Sequence, residues 1–250
     1  MRPLLIALTF LLSVGQTTAQ EGEETPLSIV QEAMAGRISC NDPRIFNLPQ
    51  RSTSPGVSQK DFNFIDCVAR RIIKTSRVRL PEGLGSTWVI TSMHNPTINS
   101  ETRQLANGQL AVIAYDSMAA FLNYDPDEEA FIIGHEIGHV QDWMNCQTLK
   151  VQMVQHELLS KKIALSKAQQ ACEVNADNYG LQYMWGAGFD PFAAGGLLGR
   201  LEMYAPNQTR GLASTITNFI SDHPISSERV RKLRMVVTQL CSRQGTVCRP

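Results

Sequence analysis

The sequence has no surplus of charge of either sign: 23 Lys and Arg balance 23 Asp and Glu in 250 residues. Without a basic excess it lacks the electrostatic footprint of a protein that neutralises phosphates. Charged residues make up only 18%, too few for a self-repelling disordered chain. Cys-x-x-Cys is missing, which removes the zinc ribbon and the thioredoxin-like redox site. Gly-x-Ser-x-Gly is missing, and with it the nucleophile elbow of serine hydrolases. Neither a phosphate-binding Gly-x-x-x-x-Gly-Lys nor a dinucleotide fingerprint occurs. No apolar run is long enough to span a bilayer, which takes about 20 residues. Internal repeats and low-complexity tracts are absent too. What remains is a 43% hydrophobic chain, long enough to bury most of its apolar surface in a single domain.

The first residues have a separate logic. Arg2 precedes an apolar run from Leu4 to Val14, and small and polar residues lead to Thr18-Ala19-Gln20. A basic start, a short apolar stretch and a small-residue cleavage site form a secretory signal, expected at residues 1–19 with cleavage after Ala19. The remaining chain is then exported, with no transmembrane segment. Six cysteines follow, an even count that in an oxidising compartment suggests three disulfides. Proximity in sequence favours Cys40–Cys67, Cys146–Cys172 and Cys241–Cys248.

Residues 20–57 are polar and read as an N-terminal arm with one short helix, Leu27–Met34. Ser58-Gln59-Lys60-Asp61 is a capping-box pattern that opens a helix with Phe64, Ile65, Val68, Ile72 and Ile73 on one face. It ends by Pro81-Glu82-Gly83. Trp88–Ile90 reads as a strand, and Gln109–Tyr115 as another after the Asn107-Gly108 turn signal. A short helix over Ser117–Leu122 follows. Asp125-Pro126-Asp127-Glu128 starts a helix in three ways, by a capping carboxylate, by Pro in the first turn and by acids at the positive dipole end. This helix is expected to reach about Trp143. A long helical stretch is expected over Leu149–Trp185, another from Asp190-Pro191 to Tyr204, a loop over 206–222 and a last helix over Ser226–Leu240. A few strands followed by helices predict an α+β fold, mainly helical, with a small sheet beside the central helix.

That central helix carries His135-Glu136-Ile137-Gly138-His139. Residues i and i+4 share one helix face, about 6 Å apart along the axis, so two imidazoles there can hold one metal ion, and Glu136 beside them can act as a general base. Zinc takes a third protein ligand and keeps a fourth position open. Glu173 and Asp177 are again i, i+4 on a predicted helix. One carboxylate can bind metal and the other can orient a ligand histidine through its second nitrogen. Taken alone, such a pair is more often a solvated face. His223-Pro224 and Arg229, in a loop and at the next helix start, form the third element. His94 and His156 have no partner at ligand spacing and are read as surface residues.

Together these residues resemble the M48 family of zinc metalloproteases. The resemblance spans roughly residues 60–240 and rests on four motifs in order: HEIGHV at 135–140, CEVNADNYG at 172–180, AGFDPFAAGGLLGRLE at 187–202 and HPISSERVRKL at 223–233. The stretch from Asn99 to Tyr115 looks like the family's strand pair, with Ser100-Glu101 in place of its small-aromatic pair. The spacing from His139 to Glu173 is short for the family, so any lid segment there is reduced. The resemblance implies a zincin-like domain over 58–250 and one Zn²⁺ per chain, held by His135, His139 and Glu173. Glu136 would be the catalytic base, Asp177 the carboxylate behind a ligand, His223 an oxyanion stabiliser or a cap on the metal, and Arg229 a brace for the loop. It further implies a soluble periplasmic endopeptidase of envelope quality control, with misfolded or outer-membrane proteins as substrates and assembly machinery as possible partners. An extended peptide is expected to add to the sheet edge, taken as Gln109–Tyr115. Two other readings stay open. One is a thermolysin-like gluzincin, against which the His223-Pro224…Arg229 element and the Gly188-Phe189-Asp190-Pro191 turn weigh. The other is a latent periplasmic chaperone or scaffold that keeps zinc but cleaves little.

Overall fold

The structure, a computed structural model, describes residues 26–50, 53–75, 89–156, 161–203, 219–220 and 222–243. The expected leader 1–19, Trp88, most of the expected 206–222 loop and the partner of Cys241, Cys248, lie outside these residues.

Two short helices, α1 (Pro26–Met34) and α2 (Pro43–Phe46), precede α3 (Gln59–Thr75). Ser58 caps α3 by accepting from the Asp61 amide. Ile29, Ala33, Ile38 and Ile45 are buried in the same core as Phe64, Ile65, Val68 and Ile72 of α3, and the Cys40–Cys67 disulfide ties the two segments together.

The sheet has three strands, β1 (Val89–Met93), β2 (Ser100–Gln104) and β3 (Leu110–Tyr115), in the order β1-β3-β2. β1 runs parallel to β3, and β2 antiparallel to it with Thr102 opposite Val112. The β2–β3 turn closes at Gly108, whose φ of +84° favours glycine. Every residue of β3 is buried. Leu110, Val112 and Ala114 face the helices, whereas Ala111, Ile113 and Tyr115 pack with Met93 and Leu105 on the other face. A continuous apolar run such as LAVIAY suits a strand covered on both faces. β3 is therefore the central strand, which corrects the expectation that Gln109–Tyr115 is the edge. The edge strand beside the central helix is β2, whose Thr102 reaches that helix.

After the short α4 (Asp116–Phe121) comes α5 (Pro126–Gln141), where Asp125 accepts from the amides of Asp127 and Glu128. Almost all of α5 is buried, and its apolar residues are spread around the helix, as expected of one passing through a core. α5 ends at Gln141, two residues before the expected Trp143. Asp142 then bonds Asn145 at the start of the next helix and Asn175 further along the chain. The stretch expected as one helix over Leu149–Trp185 is two: α6 (Trp143–His156) and α7 (Lys161–Gly186), joined by the Cys146–Cys172 disulfide. α8 (Phe192–Met203) and α9 (Ser227–Arg243) complete the core through Leu197, Leu201, Leu233 and Val237.

α5 and α7 lie unusually close. A Cβ on Gly138 would stand 2.8 Å from the Ala176 carbonyl oxygen, and one on Gly134 would stand 3.0 Å from that of Gly180. Glycine at these positions removes the side chain that would hold the helices apart. The HEIGH and CEVNADNYG segments thereby face one another. No helix among the described residues is long and apolar enough to cross a membrane.

Candidate active site

The helical spacing of His135 and His139 brings their Nε2 atoms to 3.0 Å of one another. Glu173, entering from α7, places Oε2 3.3 Å from His135 Nε2 and Oε1 3.4 Å from His139 Nε2. His135 and Glu173 are buried at 2% and 3% exposure. His135, Glu136, His139 and His223 also offer ligand atoms that all lie within 4.8 Å of one another.

This donor set fits a metal ion. Asp177 Oδ1 lies 2.9 Å from His135 Nδ1, and Arg229 grips the same carboxylate from behind with Nε and Nη2 at 2.8 and 2.7 Å. An ionised Asp177 accepts the Nδ1 proton, so His135 Nε2 presents a lone pair. That lone pair faces a second imidazole nitrogen and a carboxylate, both acceptors. A cation shared between them, whether a proton or a metal ion, makes such a meeting favourable. Ligands about 2.0–2.1 Å from a tetrahedral zinc lie about 3.3–3.4 Å from one another, close to the separations here.

A proton and a metal ion compete for these nitrogens, so an ion bound at His135 Nε2 displaces a proton there. Burial lowers the His135 pKa, but hydrogen bonds to Asp177 and Glu173 outweigh it and raise it to about 10. Burial and the neighbouring His135 charge push His139 down to about 3. Burial works against ionisation of Glu173 and Asp177, yet both are held below their usual range, Glu173 mainly by His223 and His135, Asp177 mainly by Arg229. The Arg229 guanidinium is itself buried, and its pKa rises because Asp177 and Glu173 overcome that burial.

Glu136 is fully buried. Its Oε2 lies 2.9 Å from Thr102 Oγ1, while Oε1 makes no hydrogen bond and has His223 Nε2 3.3 Å away. His223 itself sits among the candidate ligands. Its Nδ1 is 3.2 Å from His135 Nε2 and 3.3 Å from Glu173 Oε2, and its Nε2 is 3.2 Å from the Ser100 carbonyl oxygen. Phe219 lies against its ring at 4.7 Å between centroids, and Arg229 Nη1 donates to the Pro224 carbonyl, fastening the loop. Burial lowers the His223 pKa, but the carboxylates of Glu136 and Glu173 raise it overall.

All seven residues singled out from the sequence, His135, Glu136, His139, Glu173, Asp177, His223 and Arg229, thus meet in one place. A cleft of about 240 Å³ opens beside them, lined by Glu101, Thr102, Trp143, Gln169 and Asp222 and walled by Cys146 and Cys172. A wider groove of about 610 Å³ runs between α8 and α9, past Glu202, Arg231, Arg234 and Met235, and contains no histidine. Thr102 and Phe219 were not foreseen. Thr102 carries no chemical signature of its own, and only the pairing of β2 against β3 beside α5 brings it to Glu136. His94, read as a surface residue, is exposed, and its ring pairs with Asp116 at 2.6 Å.

The family model of peptidase family M48 matches residues 142–237. The matched stretch contains Glu173, Asp177, His223 and Arg229 and begins just past α5, whose histidines rest on motif and geometry. Over that stretch, which is less than half of the chain, the sequence is similar to peptidase family M48. No curated protein matches the chain.

Proposed function

We propose that this protein is a metallopeptidase of the M48 type: a zinc-dependent endopeptidase, exported to the periplasm, that hydrolyses peptide bonds in misfolded or unfolded envelope proteins. The observation that carries the activity is the convergence of His135 Nε2, His139 Nε2 and Glu173 at 3.0 to 3.4 Å, with Glu136 buried beside them. His135, His139 and Glu173 would hold the ion. Zinc bound there supplies a Lewis acid for the scissile carbonyl and lowers the pKa of water to about 7.

The protein's own groups do the rest. Asp177 keeps the proton of His135 on Nδ1, and Arg229 keeps Asp177 ionised and in place. Glu136 Oε1, free of hydrogen bonds, accepts the proton of the attacking water and delivers it to the leaving amine. His223 Nε2 donates to the oxyanion once the substrate has entered. The peptide lies extended along β2, and pairing through main-chain groups tolerates many sequences, as digestion of unfolded proteins requires. Export is supported by the pattern of Arg2, Leu4–Val14 and Ala19. The disulfides Cys40–Cys67 and Cys146–Cys172 support an oxidising compartment. Envelope substrates and assembly-machinery partners rest on the resemblance to the family.

The second reading is a latent form, a periplasmic chaperone or scaffold with little proteolysis. It is favoured by His223, which stands where a substrate carbonyl would approach. Casein cleavage, aggregation suppression and zinc content, measured on wild type and Glu136→Gln, separate the two. The endopeptidase cleaves casein with one zinc per chain, and Glu136→Gln keeps the zinc while losing about 10²-fold or more in rate. Full activity in Glu136→Gln removes the base from the mechanism. Aggregation suppression without cleavage, unchanged in Glu136→Gln, establishes the chaperone.

A further inference from the structure

We propose that Thr102 is the positioning residue of the general base: its hydroxyl holds one oxygen of Glu136 so that the other stays free for the reaction, and so couples the strand that seats the substrate to the group that acts on it. The role rests on the peptidase reading of Glu136.

Thr102 Oγ1 lies 2.9 Å from Glu136 Oε2 and 2.7 Å from the Glu136 carbonyl oxygen. The hydroxyl has one proton to give. The carbonyl lies inside α5, where the amide four residues on already donates to it. The carboxylate has no such ladder, and a hydroxyl donating to it makes a charge-assisted bond. The two oxygens are thereby made unequal, with Oε2 held and Oε1 without a hydrogen bond in a fully buried side chain. Oε1 faces His223 Nε2 at 3.3 Å, on the side of the candidate ligands, so the held oxygen and the reacting oxygen point to different partners.

The strand explains why a threonine serves. Leu105 N donates to Gln109 O, so the odd-numbered residues of this strand exchange main-chain bonds with β3. Ser100 and Thr102 point theirs away from β3. The Ser100 carbonyl shows this directly, since it meets His223 Nε2 at 3.2 Å. Thr102 therefore offers its amide and carbonyl to the open edge and its side chain to α5. Its β-branch restricts χ1, so the hydroxyl direction follows the strand. A peptide paired along β2 would be registered against the same residue that aims the base.

The test uses the full zinc-loaded chain and a fluorogenic casein-derived peptide. Thr102→Val keeps the shape and removes the hydroxyl; Thr102→Ser keeps the hydroxyl. We expect Thr102→Val to lose about tenfold or more in kcat, with KM and zinc content near wild type, and Thr102→Ser to stay within about threefold. A crystal structure of Thr102→Val should show the Glu136 carboxylate turned from its wild-type position. Equal kcat in Thr102→Val and wild type, or an unmoved carboxylate, overturns the proposal while leaving the peptidase intact. A parallel fall in Thr102→Val and Thr102→Ser, or a fall that tracks lost zinc, makes Thr102 a packing residue and also overturns it. A zinc-loaded wild type that cleaves nothing overturns the peptidase reading, and this one with it.

Discussion

Asp177 and Glu129 show two fates of a carboxylate buried in one core. Asp177 is 3% exposed, but its oxygens meet His135 and two nitrogens of Arg229, so its charge is matched on two sides. Glu129 on α5 is fully buried, and neither of its oxygens has a hydrogen-bond partner. Burial raises its pKa to about 8 from an ordinary 4.5. The folded protein therefore holds a proton between pH 4.5 and 8 that the unfolded chain has released. Below pH 4.5 the acid is neutral in both states and imposes no charge penalty. As pH rises through this window stability falls, and above pH 8 the full penalty is felt, on the order of a few kcal/mol. Replacing Glu129 with Leu should remove that slope. Urea midpoints at pH 5 and pH 9 should show the variant gaining most at the higher pH. Parallel behaviour of the two proteins across that range would mean that Glu129 is solvated or paired in the native state.

At the level of elements, the site depends on how closely α5 approaches α7. Gly138→Ala places a methyl 2.8 Å from the Ala176 carbonyl oxygen and 2.9 Å from the Tyr179 Cβ, so one helix must move. Overpacking of this kind costs about 1–3 kcal/mol. Because His139 and Glu173 lie on the two helices being separated, zinc affinity should fall along with the melting temperature. Gly196→Ala in α8 is the control: its methyl meets nothing within 4 Å, and alanine favours a helix over glycine by about 1 kcal/mol. That variant should melt no lower than wild type and bind zinc unchanged. The two substitutions also mark what can be read from a linear chain. His135-x-x-x-His139 and Glu173-x-x-x-Asp177 are legible because metal chemistry demands particular side chains and one helix turn sets their spacing. The helix starts at Ser58 and Asp125 are legible because capping is local. The strand order is not, since pairing β1 to β3 across β2 is a non-local choice, and the apolar run LAVIAY fits a central strand while its neighbouring turn suits any hairpin. The break between α6 and α7 escapes for a similar reason, as both sides have helix-forming composition. Glu129 was hidden among the acids of a helix start, where a charge is normally welcome.

At the scale of the whole molecule, the two disulfides among the described residues close loops of similar length in different places. Cys40–Cys67 spans 27 residues and fastens α1 and α2 to α3, away from the histidines. Cys146–Cys172 spans 26 residues, joins α6 to α7 and stands next to Glu173 in the cleft wall. By chain entropy alone each should be worth about 3.5 kcal/mol, because the loops are nearly equal. Their effects on the site should differ. Cys40→Ala/Cys67→Ala loosens the arm but leaves α5 packed on α7, so it should lower the melting temperature and spare zinc affinity. Cys146→Ala/Cys172→Ala should lower the melting temperature by a similar amount and also weaken zinc, because the turn of α7 that carries Glu173 loses its tie to α6. Competition against a chromogenic chelator, at a temperature where both double variants are folded, measures the difference. Equal zinc affinity in the two would mean that the glycine-mediated contact of α5 with α7 holds Glu173 in place without the covalent link. A weaker site only in Cys146→Ala/Cys172→Ala would tie metal affinity to the oxidised state of that pair, so that the site binds its ion most tightly where disulfides form.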